Sequence, residues 1–498
     1  MNLCEVGVDQ LQDAMNQGEL SAAEITHYYL QQIASHNYGD ANLHAFITVQ
    51  DAELLMEQAH QLDRERQQGK ARGPLHGIPV AIKDNIDTGD GMPTTTGSLL
   101  LREHRAPDDA FVVKQLRDAG AIILGKTNLS EWANFRSTAS SSGWSSLGGQ
   151  TKNPYDPTRS TCGSSSGSAV AVSANLVTLA IGTETDGSLT MPASTTGIVA
   201  IKPTRGLISR DGIIPIARSQ DTAGPMARSV RDAVYMLQVM AGNDQRDDDS
   251  YSDDRDFTDY LSEQGLQGKR IGVVRELTGY HAGVDALFDQ QLPLLEQAGA
   301  TLVDALRFPS GLSWARDEFD LLLHEFRQDI ADYLAQTSDT GFNSLKDLIL
   351  ANSKYKDAIL PWFGQEMFIL AEGLSEESQQ DYEAAVKRAK QAAGHDTIDA
   401  LLKKHELDLL IAPTSGPAWK IDLINGDNLL GSASSAPAVA GYPHITVPMG
   451  FVHEMPVGLS FIGTARSEAT LIAAAYAYEQ CSSARRAPDL TCKTEPDE

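Results

Sequence analysis

Three short segments of this 498-residue chain hold side chains that can do chemistry together. Gly77-Ile78-Pro79-Val80-Ala81-Ile82-Lys83-Asp84-Asn85 sets a lysine at the end of an apolar run. Cys162-Gly163-Ser164-Ser165-Ser166-Gly167-Ser168-Ala169 crowds serines among small residues, and Gly182-Thr183-Glu184-Thr185-Asp186-Gly187-Ser188 ends a second glycine-bearing stretch on a serine. A serine hydroxyl is a poor nucleophile until a base takes its proton. Lysine can be that base only when neutral, and at an ordinary pKa of about 10.4 fewer than ~1 in 1,000 are neutral at pH 7. Burial disfavours the ammonium; lowering its pKa by ~3 units corresponds to about 4 kcal/mol. Each segment alone also has a plain explanation. A lysine at a strand end commonly snorkels to water, and glycine and serine are default turn residues.

The elements that must position these groups follow from the pattern of apolar residues. Ser21-Ala22-Ala23-Glu24 is a capping box, and Ile25, Tyr28, Tyr29 and Ile33 recur behind it at helical spacing, so the first 65 residues read as helices. From about residue 70 short apolar runs alternate with helical stretches. Ile78–Ile82, Ala121–Leu124, Thr178–Ile181, Arg270–Val274, Leu409–Ala412, Ile445–Val447 and Gly458–Ile462 read as strands; Asp109–Ala119 and Ser467–Gln480 read as helices. Ala169–Ala174 is small and apolar all round, as a buried helix is. Such alternation predicts an α/β fold with a sheet covered on both faces. Residues from about 315 to 405 read as a charged helical insertion, and the run Asp247-Asp248-Asp249 with Asp253-Asp254 as a solvated acidic loop.

Together the three segments resemble the amidase signature family, serine hydrolases that use a Ser–cis-Ser–Lys triad. The resemblance takes in Ala119–Glu131, Thr161–Ala174, Gly182–Pro192, Gly197–Gly206 and Asp221–Met226, and runs more loosely to Gln480. Within the family the two serine segments look most like the peptide amidase branch. The resemblance implies a large mixed β-sheet covered by helices in a single compact catalytic domain. On that reading residues 1–65 form an N-terminal helical segment packed on the core, and residues 66–490 the catalytic domain. It makes Ser188 the nucleophile, Ser164 the bridging serine and Lys83 the base, with a cis bond between Gly163 and Ser164. It assigns the oxyanion hole to the backbone N–H groups of Thr185, Asp186, Gly187 and Ser188. A hydroxyl accepts and donates at once, so Ser164 suits a relay from Ser188 to Lys83 that needs no histidine.

Three other motifs fit only on paper. Gly120-Ala121-Ile122-Ile123-Leu124-Gly125-Lys126-Thr127 matches the phosphate-loop pattern, but its middle is a buried strand where the mechanism needs amides wrapped around a phosphate. Gly163–Gly167 matches GxSxG, yet the turn-forming Asn153–Pro157 precedes it instead of a strand. Ser353-Lys354-Tyr355-Lys356 matches SxxK in a polar helical stretch, and His76 reads as structural despite its closeness to Lys83.

Composition narrows the function further. With 40 Lys+Arg against 67 Asp+Glu the formal charge is −27, which argues against a nucleic-acid partner. No run approaches the ~20 apolar residues of a membrane helix, and Met1–Glu5 lacks a signal-peptide pattern, so a cytoplasmic protein is expected. Cys4, Cys162, Cys481 and Cys492 are too scattered for a disulfide framework or a zinc site, and no HExxH occurs, so neither metal nor other cofactor is expected. The expected partner is a small-molecule or peptide amide substrate, and the expected state a monomer or homodimer.

Two positions depart from the family pattern. Much of the family reads Gly-Gly-Ser at the nucleophile where this chain has Asp186-Gly187-Ser188, and Thr190 stands where many members carry an arginine. Both changes disfavour small carboxylate-bearing amides. The resemblance therefore implies an amide hydrolase for peptide C-terminal amides or similar neutral amides. The alternatives are an aryl or alkyl acylamidase or esterase, and the glutaminase-type subunit of an ATP-dependent amidotransferase.

Overall fold

Runs such as Val80-Ala81-Ile82 and Leu179-Ala180-Ile181 have no polar alternation, as expected for strands buried on both faces. The computed structural model describes residues 3–39, 41–337, 340–375 and 379–490; Cys492, Met1 and Asn2 lie outside them. In chain order the strands are β1 (Phe46–Val49), β2 (Pro79–Lys83), β3 (Ile122–Thr127), β4 (Trp144–Ser145), β5 (Gly149–Gln150), β6 (Leu179–Glu184), β7 (Val199–Lys202), β8 (Thr222–Ala227), β9 (Arg270–Val274), β10 (Thr301–Leu306), β11 (Leu409–Pro413), β12 (His444–Val452) and β13 (Met455–Ile462). β4 and β5 pair with each other. The rest form one 11-stranded mixed sheet in the order β1-β3-β2-β6-β8-β7-β12-β13-β11-β9-β10. The expected α/β class and large mixed sheet are therefore observed.

β2 lies between β3 and β6, parallel to both, with Lys83 opposite Thr127 and Ile82 opposite Ile181. The chain reaches β3 on one side of β2 and then β6 on the other. Successive crossovers that diverge in this way leave a crevice at the carboxyl ends of the strands, where α/β sheets bind ligands. The second crossover carries the helix Ser166–Ser173, whose eight residues are all buried and which packs across β2, β3, β6 and β8. Gly167 permits that approach, because a Cβ there would lie 2.2 Å from the Ala45 carbonyl oxygen and 2.5 Å from that of Asn128.

The first 65 residues differ from the helical reading. Helices Val8–Gln17, Ala22–His36 and Ala52–Gln67 form, and Ser21 and Glu24 make the capping box. Between the last two, however, β1 adds an antiparallel edge strand to the main sheet, so this segment is part of the sheet as well as a cover for it. A four-residue strand carries too little periodicity to register. β8 escaped the strand reading for another reason: it contains Gly224-Pro225, which argues against a central strand, yet it sits between β6 and β7. β10 is an edge strand with three of its six residues, Thr301, Asp304 and Ala305, exposed.

The acidic run is a loop that is only partly solvated: Asp248, Asp249 and Asp254 are exposed, but Asp247 is not. Asp247 is buried and accepts from the Arg210 backbone N–H at 2.9 Å and from the Arg210 guanidinium, which also reaches Asp249 at 2.9 Å. Asp253 pairs with Arg255. From Ala315 to His405 the ordered elements are helical: Ala315–Gln336, Leu345–Lys354, Lys356–Ile359, Glu366–Glu372, Gln379–Lys390, a π-helical stretch Gln391–Asp399, and Ala400–His405. No helix among the described residues is long and apolar enough to cross a membrane.

Candidate active site

Lys83 is the last residue of β2, and its side chain is fully buried. Its Nζ lies 2.8 Å from Ser164 Oγ, 3.0 Å from Ser165 Oγ, 2.8 Å from Thr183 Oγ1 and 3.3 Å from the Thr183 carbonyl oxygen. Among the described residues no carboxylate touches it. Burial therefore dominates and brings its pKa down from 10.5 to about 7, against the more distant pull of Asp221 and Glu184. The amine is a proton acceptor near neutral pH.

Ser164 follows a cis peptide bond from Gly163. Its carbonyl accepts from the Ser130 N–H at 3.1 Å, and Gly163 leaves no room for a side chain, since a Cβ would sit 2.2 Å from Ser130 Oγ. Ser165 caps the helix Ser166–Ser173; its hydroxyl donates to the Thr183 carbonyl at 3.0 Å and accepts the Thr183 N–H at 3.1 Å. These bonds tie the serine loop to β6 and fix the floor beneath Lys83.

Ser188 ends the turn that leaves β6 and is 8% exposed, whereas Lys83 and Ser164 are both at 0%. Its hydroxyl is thus the one of the three that a substrate can reach. The Ser188 carbonyl accepts from the Ser165 N–H at 3.2 Å, which holds the two serine loops together. Among the described residues no hydrogen bond joins Ser188 Oγ to Ser164 Oγ; catalytic contacts are commonly loose until substrate binds. Within the turn, the N–H groups of Asp186, Gly187 and Ser188 donate to no acceptor among the described residues. Gly187 adopts φ 75°, and a Cβ on it would meet Met191 Cε at 2.3 Å and Ser434 Oγ at 2.9 Å, so the turn requires glycine. Uncommitted amides around an accessible serine are what a developing oxyanion needs.

Carboxylates brace the turn from behind. Glu184 Oε2 accepts from the N–H groups of Leu189 (2.9 Å) and Thr190 (3.1 Å) and from Thr190 Oγ1 (3.2 Å). Thr190, at the family's arginine position, is therefore engaged inward. Asp221 accepts from Thr185 Oγ1 and from the N–H groups of Ile216 (2.8 Å) and Ala217 (2.9 Å); burial pushes its pKa up to about 6. The Asp186 side chain lies against the hydroxyls of Ser434 and Ser435 and the carboxyl of Glu318. A cavity of about 300 Å³ opens beside Asn85, Thr183 and Thr185 and is walled by Arg210, Asp221 and Tyr333. Asn85 donates to Thr183 Oγ1 at 3.1 Å, so this cavity stands one side chain away from Lys83 Nζ.

The structure thus brings Lys83 and Ser164 into contact and sets Ser188 on the adjoining turn. Sequence reasoning did not single out Ser165, Thr183, Asn85, Glu184, Asp221 or Glu318. Thr183 and Glu184 lie inside the quoted Gly182–Ser188 segment and Asp221 at the head of Asp221–Met226, so their motifs carried a signal; Glu318 had none.

The residues set aside are placed consistently. Lys126 is buried in β3 beside Asp84 at 3.6 Å and donates to Thr94 Oγ1 at 2.9 Å, so no phosphate loop exists there. Ser165, the centre of GxSxG, bonds Lys83 and Thr183 with no strand ahead of it. Ser353 and Lys354 end the helix Leu345–Lys354 at the surface. His76 is buried, and its Nε2 lies 3.0 Å from the Leu62 carbonyl oxygen. Among the described residues no group of three or more His, Cys, Asp or Glu side chains is arranged to hold a metal ion.

A profile of the amidase family matches residues 24–472. The chain is 36% identical over 500 residues to a probable amidase of Arabidopsis thaliana, covering 97% of this chain and 91% of that protein. It is also 36% identical over 491 residues to a glutamyl-tRNA(Gln) amidotransferase subunit of Symbiobacterium thermophilum, covering 95% and 96%. The crystal structure of native peptide amidase from Stenotrophomonas maltophilia superposes with a TM-score of 0.93 at 48% identity, covering 98% of this chain and 99% of that one.

Proposed function

The chain belongs to the amidase family and is an amide hydrolase, and from that premise we propose that Ser188, Ser164 and Lys83 form its catalytic triad. The observation that carries this reading is the fully buried amine of Lys83, 2.8 Å from Ser164 Oγ and with no carboxylate in contact among the described residues. Neutral Lys83 takes the Ser164 proton as Ser164 takes that of Ser188. The freed Ser188 oxygen then bonds to the substrate carbonyl carbon. The carbonyl oxygen becomes negative against the N–H groups of the turn Thr185–Ser188, each donor contributing about 2.7–4 kcal/mol to the barrier change. The relay runs backwards to protonate the nitrogen as the C–N bond breaks, releasing ammonia or an amine and leaving an acyl ester on Ser188. Water, activated by the same relay, hydrolyses that ester.

Peptide C-terminal amides are the substrate class this reading favours, because the similarity to a peptide amidase extends over nearly the whole of both chains at 48% identity. Neutral aryl and alkyl amides come next. Similarity to the amidotransferase protein raises glutamine as a competitor. Two features speak against it: the carboxyl of Asp186 beside the nucleophile turn, and Thr190 in place of a cation. A panel of a peptide amide, an anilide, an ester and free glutamine tests the assignment, together with labelling of Ser188 by a serine-directed fluorophosphonate. Turnover of the peptide amide and labelling at Ser188 are expected. Glutamine turnover above that of simple amides would reverse the substrate order. We infer a cytoplasmic setting, on the sequence argument alone.

Ser164→Ala is expected to leave a reduced but measurable rate, down roughly 10²–10⁴-fold in kcat, because the relay loses its middle hydroxyl while nucleophile, base and oxyanion donors remain. Steady-state kinetics on a peptide amide would read this, and wild-type kcat would remove Ser164 from the relay.

A further inference from the structure

The helix Ala315–Gln336 turns an acidic face onto the loops that support the nucleophile turn. Glu318, Glu325 and Asp329 fall on one side of it, as a 3.6-residue period dictates. Glu325 accepts from the Ser219 N–H at 2.8 Å and from the Tyr382 hydroxyl at 2.6 Å, and Asp329 accepts from the Arg218 N–H at 3.0 Å. Glu318, at the amino end of this face, reaches the turn itself. Gln220 Nε2 donates at 3.1 Å to Glu318 Oε1 and at 3.1 Å to the Thr185 carbonyl oxygen. The carboxyl of Glu318 also faces that of Asp186, and each pushes the other's pKa. Two carboxyl groups set against each other avoid facing like charges only if one of them holds a proton, which it can then donate to the other.

We propose that Glu318 is a positioning residue for the hydrolysis: as a carboxylic acid it donates to Asp186 and, with Gln220, fixes the peptide units of Thr185, Asp186 and Gly187 around the reacting carbonyl. The inference rests on the oxyanion assignment made above. Burial and the neighbouring Asp186 push the Glu318 carboxyl up; burial raises Asp186 too, against the lowering pull of the Ser434 and Ser435 hydroxyls. The other charged groups bearing on the pair are Glu184 at the end of β6 and Lys202 at the end of β7; Arg316 and Asp317 adjoin Glu318 on its own helix. As pH rises far enough to remove the pair's proton, two carboxylates face each other and the turn loses its brace.

Glu318→Ala and Glu318→Gln, assayed on a peptide amide and by rate of fluorophosphonate labelling from pH 6 to pH 9, test this. Glu318→Ala is expected to lower kcat and the labelling rate together by roughly 10-fold or more, with KM within about twofold, because a displaced donor acts on the transition state. Glu318→Gln keeps a donor for Asp186 and is expected to recover most of that loss and to lack the wild-type decline at high pH. A kcat for Glu318→Ala within about twofold of wild type, no recovery in Glu318→Gln, or a decline at high pH that persists in Glu318→Gln would each overturn the proposal. If the alanine variant does not fold, the pH profile of the glutamine variant decides. Wild-type enzyme whose Ser188 resists labelling would instead overturn the triad reading.

Discussion

Ser188→Ala is expected to lower kcat on a peptide amide by at least ~10⁴-fold, the scale at which removing a nucleophile leaves only binding and oxyanion stabilisation. No neighbouring hydroxyl can substitute. Ser164 and Ser165 are fully buried and already engaged with Lys83, whereas Ser188 stands on the turn whose amides are uncommitted. The loss should come without unfolding, because the Ser188 hydroxyl makes no hydrogen bond among the described residues and its removal leaves no partner behind. A thermal midpoint within a few degrees of wild type, with activity gone and fluorophosphonate labelling abolished, is the expected combination. Retention of even a tenth of wild-type kcat would show that another group attacks the carbonyl.

Lys83→Ala is expected to cost about 10²–10⁴-fold in kcat/KM near neutral pH, the usual contribution of a general base. Its pH signature is sharper than its magnitude. The ammonium is inactive, so wild-type kcat/KM should climb with pH through about 7, and that ascending limb should be missing from the variant. Stability moves in a related way. The folded pKa of about 7 lies below the ordinary 10.5, so between those values the unfolded chain binds more protons at this residue than the folded one. This group's contribution therefore rises as pH climbs from about 7 to about 10.5, and its full cost of roughly 5 kcal/mol applies below that window. The thermal midpoint of wild type relative to that of Lys83→Ala should therefore rise from pH 7 to pH 10. Equal activity of the two proteins at pH 7 would remove Lys83 as the base.

The amino-acid order by itself was enough to find the family and its amide-hydrolase activity. Lys83, Ser164 and Ser188 sit in short segments whose residue types and order are specific when read together, and the family resemblance that they carried holds over nearly the whole chain. The apolar runs of β2, β3, β6 and β11 were legible because strands covered on both faces have no polar alternation to confuse with a helix. Where the sheet departs from that condition the reading failed. β1 is short and at an edge, β10 is half exposed, and β8 places Pro225 opposite Ile181 in the middle of the sheet. In that place the surrounding strands override the local preference of the residue.

Tertiary structure alone decided how the site is supported. Nothing about Asp221 in isolation says that its carboxylate gathers the N–H groups of Ile216 and Ala217 with the hydroxyl of Thr185. Likewise Asp247 in an acidic run looks solvated until Arg210 closes on it. Glu318 lies 130 residues beyond Ser188 in a charged helix that reads as surface, yet it meets Asp186 at the nucleophile turn. Short-range pattern determines which residues can react, because side-chain type and local turn geometry are properties of the sequence. Their pKa values and bracing depend on which distant groups folding brings within a few ångströms and on how completely water is excluded.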